Sequence, residues 1–178
     1  MKKGLVLSNA EGSTLIELIL YIALVSGVFI AIIQFGWNAI YIQKKSEVYQ
    51  ELVSNLRFAQ KRVAFEIRNA SGINSVAATS ICLASADVTH NPTKLYLSAG
   101  AIRIGWGGGG ATCATTINDQ PLTSPKIAIS TLTFTDLSVV GKSKNIHFDI
   151  TGSSANPGAR KEFSMTSSLS SSQELRSN

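Results

Sequence analysis

The sequence predicts an α+β protein in which one long N-terminal helix packs on an antiparallel β-sheet. Residues 18–33 contain no charged side chain, and the apolar character continues to Ile42. From Lys44 the apolar residues recur at helical spacing instead. After Gly72 that spacing gives way to short alternating runs divided by turn residues. A chain of 178 residues fits one globular domain plus such a helix.

The apolar run, residues 15–42, is long enough to cross a membrane. As a helix it would measure roughly 42 Å, against about 30 Å for the hydrocarbon core. Lys2 and Lys3 precede the run, which favours a cytoplasmic N-terminus, and Trp37 suits the far interface. A cleaved secretory signal fits less well, because Glu17 lies inside the run and no A-x-A site follows it.

Residues 43–71 predict an amphipathic continuation of the same helix. Its apolar stripe consists of Val48, Leu52, Leu56, Ala59, Val63, Ile67 and Ala70. The opposite face carries Glu47, Glu51, Lys61, Arg62 and Arg68. No proline precedes Pro92, so nothing forces a break, and we expect one helix of roughly 55 residues. Asn69 provides a plausible end, with Gly72 suited to a left-handed cap.

Residues 72–166 predict an extracytoplasmic β-sheet domain. Residues 94–98 and 101–104 flank a short Ala-Gly turn and predict a hairpin. The other predicted strands are residues 126–134, with Ile127, Ile129, Leu132 and Phe134 inward, residues 145–150, and more weakly residues 162–168. Residues 167–178 form a Ser-rich tail that we expect to be poorly ordered.

The two cysteines, Cys82 and Cys113, both fall in this domain. An even pair outside the cytoplasm indicates one disulfide, which would contribute roughly 3–4 kcal/mol; the alternative is two free buried thiols. Together with His90 and His147 they match no recognised zinc spacing. We therefore predict neither a metal site nor a cofactor.

A glycine-rich stretch formally matches a nucleotide-binding pattern. Gly105, Gly107 and Gly110 fit G-x-G-x-x-G, but the residues that follow do not predict the required helix. A flexible glycine loop beside Trp106 is the better interpretation. With two histidines, no G-x-S-x-G elbow and no organised acid–base set, the sequence does not predict an enzyme.

The segment Gly12-Ser13-Thr14-Leu15-Ile16-Glu17, followed at once by the apolar run, resembles the processing site of the type IV pilin family. The resemblance implies that residues 1–12 are a prepilin leader cut between Gly12 and Ser13. It also implies methylation of the freed Ser13 amine. Glu17 would be the fifth mature residue and would pair with the Ser13 amine of a neighbouring subunit. Residues 13–42 would then be the assembly half of the helix, within a pilin fold.

Within that family, the sequence is most similar to the minor members. Gln34 stands where the major pilins frequently have proline, and residues 67–73 resemble those of larger minor pilins and J-type pseudopilins of type II secretion. The implied partners are a prepilin peptidase, other pilin or pseudopilin subunits and an inner-membrane assembly platform. The implied location is a single-pass inner-membrane protein with a cytoplasmic N-terminus, later drawn into a pilus, competence pilus or pseudopilus.

Two alternatives of other classes remain open. One is a membrane-anchored extracytoplasmic binding module that uses the sheet and the glycine loop. The other is a competence pilin that contacts DNA through Lys142, Lys144, Arg160 and Lys161. The net charge of +5 is spread along the chain, so it supports nucleic-acid binding only weakly.

Overall fold

The structure is a computed structural model that describes residues 10–108, 113–114, 116–156, 158, 160 and 163–176, with side chains from Leu15 onward. The chain divides into two compact units, Met1–Lys44 and Lys45–Asn178. Helix α1, Ala10–Asn69, contributes its first part to one unit and its second part to the other. All eight described β-strands belong to the second unit.

The prediction of one uninterrupted helix is confirmed. Helix α1 has 60 residues, begins within the segment expected as the leader, and ends at Asn69. The predicted left-handed cap at Gly72 is wrong, because Gly72 is the first residue of a strand and does not have a positive φ. The physical reason is that Ser71 already donates its N–H to Ala84 O at 2.9 Å, so the chain enters the sheet directly.

The stripe predicted on the second half of the helix is buried. Leu52, Leu56, Ala59, Val63 and Ile67 are all fully inaccessible to solvent. Burying a large aliphatic side chain contributes about 1.5–3 kcal/mol. This stripe therefore fixes the helix to the sheets; the first predicted member, Val48, is only half-buried.

Five strands form the first sheet, sheet A. They are β1 Gly72–Ala77, β2 Ser80–Ala84, β3 Thr93–Ser98, β4 Ala101–Trp106 and β5 Asn118–Pro121, and a short 3-10 helix, η1 Val88–His90, lies between β2 and β3. Successive strands pair antiparallel in chain order. The predicted hairpin is β3–β4, turning at Ala99 and Gly100 with φ values of 50° and 72°. The sequence did not predict β1, β2 or β5.

Three strands form the second sheet, sheet B, in the order β6–β7–β8: β6 Ile127–Asp136, β7 Asn145–Ser154 and β8 Thr166–Glu174. The strands predicted at residues 126–134 and 145–150 are confirmed as β6 and β7. An irregularity between Ile129 and Thr131 shifts the β6–β7 register. Because of this irregularity, the next inward-facing side chain after Ile129 is that of Leu132 rather than that of residue 131, as the sequence predicted.

The expected disorder of the Ser-rich tail is wrong as far as Glu174, and the weak strand predicted at residues 162–168 is confirmed only at residues 166–168. Strand β8 begins at Thr166 and pairs with β7 along its whole length, whereas residues 161 and 162 lie outside the described part of the chain. The segment is ordered because its inward-facing and outward-facing side chains alternate. Leu169 packs against the core and Leu175, just past the strand, is 8% exposed, while alternate serines face outward.

Both sheets share one hydrophobic core with the buried stripe of α1. Strand β6 joins the sheets: Ile129 donates its N–H to Gly100 O at 2.7 Å, and Phe134 donates its N–H to Ala78 O at 3.0 Å. The fold class is α+β, as predicted, with the strands divided between two antiparallel sheets rather than gathered in one.

Candidate functional site: the apolar helix segment and its carboxylate

The first part of α1 presents apolar side chains around its whole circumference. Every large apolar side chain between residues 15 and 42 is between 38% and 77% exposed. By length and composition α1 is the one described helix capable of crossing a membrane. An apolar surface of this extent is far larger than the patches that soluble monomers leave in water. The segment therefore needs lipid or other apolar helices around it.

Glu17 is the single charged residue between residues 15 and 42. It lies two turns into α1, its side chain is exposed, and it has no hydrogen bond or ion pair with any residue that the structure describes. A carboxylate in an apolar segment is costly unless it is paired, so this position calls for a cation from outside the described chain. Gly12 and Ser13 lie in the first turn of the same helix.

The second part of α1 has a feature that the sequence analysis missed. Phe58 and Phe65 lie two turns apart on the face opposite the buried stripe, and they are 58% and 54% exposed. The guanidinium of Arg62 lies 5.4 Å from the Phe65 ring centroid. The signal in the sequence was the seven-residue spacing of the two phenylalanines, which places both on one helix face.

Cys82 and Cys113 are joined in a disulfide, with their Cα atoms 5.9 Å apart. Both cysteines are buried, and the bond ties β2 to the segment that follows β4. The pair is therefore committed to a structural cross-link. His90 and His147 lie away from it, on different elements of the fold.

The glycine-rich stretch begins within the sheet, and its described glycines lie in β4 or directly after it. Gly105 lies within β4, where an added Cβ would approach Thr116 Oγ1 to 2.7 Å. Gly107 has a φ of 79° and donates its N–H to Pro92 O at 3.2 Å. Gly110 lies outside the described residues. Trp106 contacts the His90 ring, with 5.4 Å between the centroids.

The two histidines belong to local polar networks. His90 Nδ1 lies 2.7 Å from Asp87 Oδ2 beside the 3-10 helix. Hydrogen bonds from the Thr89 side chain, from His90 and from the Thr89 backbone lower the pKa of Asp87 to about 2. On the outer face of sheet B, His147 Nδ1 lies 2.8 Å from Ser172 Oγ.

One acidic side chain on α1 is shielded from solvent. Glu66 is 16% exposed and its carboxylate lies 2.6 Å from the Arg62 guanidinium. Burial raises the pKa of Glu66, although the charges of Arg62 and His90 oppose the rise. Glu66 lines neither the cavity near the end of α1 nor the groove around Tyr49 and Arg57.

Of the basic residues proposed to contact DNA, the three that the structure describes do not lie together. Lys142 and Lys144 line a cavity together with Arg176, near the end of α1. Arg160 lies in the connection between β7 and β8, and Lys161 lies outside the described residues. The same cavity also has two acidic lining residues, Asp136 and Glu174.

Comparison of the chain with models of protein families, with curated proteins and with solved structures finds no match. The class of protein is therefore the one that the structure itself defines. It is an α+β protein with a single N-terminal helix long and apolar enough to cross a membrane.

Proposed function

We propose that this chain is a structural subunit of a helical filament of the type IV pilin class, either a minor pilin or a pseudopilin. In this proposal the chain is cleaved after Gly12, methylated at Ser13 and assembled through the first part of α1. The observation that carries the proposal is the uniformly exposed apolar segment, residues 15–42, with Glu17 as its one charge.

The proposed assembly would provide both apolar surroundings for residues 15–42 and a cation for Glu17. Before assembly, lipid covers the apolar side chains in a single-pass protein whose N-terminus is cytoplasmic. After assembly, the helices of neighbouring subunits take the place of lipid. Cleavage would bring Glu17 to the fifth position of the helix, where the positive end of the helix dipole favours a carboxylate. The new amine of a neighbouring subunit would supply its cation.

The second part of the chain supports the same proposal. One uninterrupted helix connects the apolar segment to the α+β domain along the chain. Phe58 and Phe65 provide exposed aromatic surface on the helix for contacts with neighbouring subunits. The Cys82–Cys113 disulfide suits an oxidising compartment outside the cytoplasm.

The N-terminal peptide tests the processing step. The full chain is produced in cells with and without a prepilin peptidase, and the mass of its N-terminal peptide is measured. We expect a methylated Ser13 terminus only when the peptidase is present, and an intact leader in a Gly12→Leu variant. An intact Met1 in cells that contain the peptidase would refute the proposal. It would leave a membrane-anchored binding module as the better hypothesis.

Glu17 tests the assembly step. A Glu17→Val variant should insert into the membrane and be cleaved normally but be strongly depleted from sheared filaments, because it lacks the carboxylate that pairs with the neighbouring amine. Gln34→Ala, a polar change within the same segment, is the matched control and should be incorporated as the original chain is. Normal incorporation of Glu17→Val would rule out the pairing.

A further inference from the structure

A cavity of about 980 Å³ opens in the second unit near the end of α1. Its walls are contributed by Asn69–Ser71 at the end of the helix, by β1, by the β6–β7 connection and by the residues that end β8. Cavities that bind specific ligands typically measure about 300–1,000 Å³. This cavity is therefore of a size that binds a ligand, and no function described above uses it.

Two unpaired strand edges meet at this cavity. Strand β1 is a terminal strand of sheet A, and β6 is a terminal strand of sheet B. The described backbone bond between β6 and the β1–β2 hairpin is Phe134 N–H to Ala78 O. Val76 on β1 and Asp136 on β6 both line the cavity.

The ladder registers show which backbone groups are free. The pair Ala77↔Ser80 closes a two-residue turn, so it is hydrogen-bonded and the next pair, Val76↔Ile81, is not. The N–H and C=O of Val76 therefore point away from β2. On β6, Phe134 directs its N–H away from β7, and Asp136, two residues on, directs its backbone the same way.

An open strand edge is a template for another strand, and proteins normally cover or block such edges. Here the edge is left open within a cavity. Ile73–Val76 spans about 13 Å, and an irregularity between Ile73 and Ser75 interrupts its register, so it can pair with a short extended segment centred on Val76. Backbone pairing with a sheet edge is a common mode of peptide recognition, in which side-chain pockets provide the specificity.

The lining residues indicate which peptide would fit. Lys142, Lys144 and Arg176 contribute three cations, and none of them forms a side-chain ion pair with a residue that the structure describes. Of the two lining acids, Asp136 already accepts the Ser138 N–H at 2.9 Å. The cations thus exceed the acids in number, and the site complements a peptide that carries carboxylates.

The β6–β7 connection adds apolar surface at the mouth of the cavity. Val140 is fully exposed and Val139 is 52% exposed, with the turn made at Gly141, whose φ is 74°. These apolar side chains are exposed on a turn, beside lysines that form no ion pair with a described residue. A partner protein can cover such a surface. A peptide that alternates apolar and acidic residues matches both features.

We infer that this cavity binds an extended acidic segment of a partner protein, which pairs through its backbone with the free edge of β1 and places carboxylates against Lys142, Lys144 and Arg176. The inference does not depend on the filament proposal, because it uses only residues 69–176. A partner of this kind would suit a filament subunit and an anchored binding module equally.

Synthetic peptides test the inference on the full chain in detergent micelles. The first probe is a fluorescent acetylated hexapeptide that alternates valine and glutamate. The second has the same sequence with N-methylated backbone amides, which cannot pair with a strand, and the third replaces glutamate with lysine. Fluorescence anisotropy measures binding, and hydrogen exchange reports the amides of Val76 and Asp136.

We expect the first peptide alone to bind and to slow exchange at both amides. Lys142→Glu combined with Lys144→Glu should weaken binding at least about tenfold, since each lost pairing is worth up to about fivefold and repulsion adds to it. Lys61→Glu, the same charge change on the exposed face of α1, should leave the affinity unchanged. Failure of the first peptide to bind at 2 mM peptide (about 4 kcal/mol of binding free energy), equal binding of the N-methylated peptide, or protection elsewhere would overturn the inference.

Discussion

Gly152 lies at a close approach between helix α1 and sheet B, and its substitution measures how tightly the two pack. An added Cβ would lie 3.0 Å from Leu56 Cδ2 and 3.0 Å from Ile129 Cδ1. The backbone of Gly152 is ordinary strand without a positive φ, so alanine meets a steric obstacle there rather than a conformational one. Glycine is needed at this position because there is little room for a Cβ atom, and not because of its backbone dihedral angles.

The expected cost follows from two opposing effects. Overpacking a well-filled core costs about 1–3 kcal/mol, whereas replacing glycine with alanine gains about 0.4–1 kcal/mol by restricting the unfolded chain. Gly152→Ala should therefore destabilise the domain by about 1–2 kcal/mol. In a Leu56→Ala background one of the two obstructing methyl groups is gone, and the space it leaves allows Ile129 Cδ1 to move away, so the same substitution should cost little or nothing. The coupling free energy between the two positions should be about 1–2 kcal/mol.

Urea unfolding of the full chain in detergent measures these free energies, with Trp106 fluorescence as the signal in a Trp37→Phe background. Gly158→Ala is the matched control, because the nearest atom to its added Cβ is Arg160 Cγ at 3.8 Å, and it should change stability by less than about 0.5 kcal/mol. Strict additivity of Gly152→Ala and Leu56→Ala would refute the close approach of helix and sheet.

Two further predictions concern the disulfide and one carboxylate. The disulfide closes a sequence separation of 31 residues, so the double substitution Cys82→Ala/Cys113→Ala should lower the free energy of unfolding by roughly 4 kcal/mol. An unchanged urea midpoint would contradict this expectation. The pKa of Asp87 is lowered from 3.8 to about 2, and a carboxyl titration by NMR should find it there. Stability from this carboxylate is present above pH 3.8 and is lost as the pH falls toward 2, because the folded state then has to take up the proton. Thr89→Val should return the pKa toward 3.8, and an unchanged pKa would show that the hydroxyl is not responsible.

The helix and the two longest strands were predictable because their apolar spacing agrees with their packing. The apolar residues from Leu52 to Ile67 are spaced by four and by three, which predicts one apolar face on a helix. In the structure that face is buried. In β7 the alternation of Ile146, Phe148 and Ile150 likewise predicts a strand with these three side chains facing the core, and the structure has that arrangement. Such elements carry their own structural signal, because the side chains that define the pattern are those that form the core.

Other strands were missed because neighbouring strands, rather than their own residues, hold them. Strand β5 is exposed at every position and its composition disfavours a strand. It is held by the ladder with β4 and by Asp119, which accepts hydrogen bonds from Arg103 at 2.8 Å and from Tyr96 at 2.9 Å. Strand β8 likewise depends on its pairing with β7, and its many serines do not by themselves predict a strand. Tertiary pairing of this kind leaves no local signal.

The spacing of the candidate residues along α1 was predictable, but the surfaces of the domain were not. The positions of Gly12, Ser13 and Glu17 follow from the sequence, because spacing along a single helix needs no tertiary information. The cavity does not, because it is formed by segments up to 107 residues apart, from Asn69 to Arg176. Its lining residues come from both sheets, so the cavity depends on where the two sheets meet.

The bonds between α1 and β8 also have a consequence in time. Gln60 Nε2 donates to Ser170 O at 3.3 Å, and Arg68 Nη2 donates to Gln173 Oε1 at 2.7 Å, across sequence separations of 110 and 105 residues. The helix leaves the ribosome first, yet this side of it gains its partners only after β8 has been made. At about 5–20 residues per second the delay is roughly 5–20 s. For that interval the side of the helix that faces β8 lacks these hydrogen-bond partners.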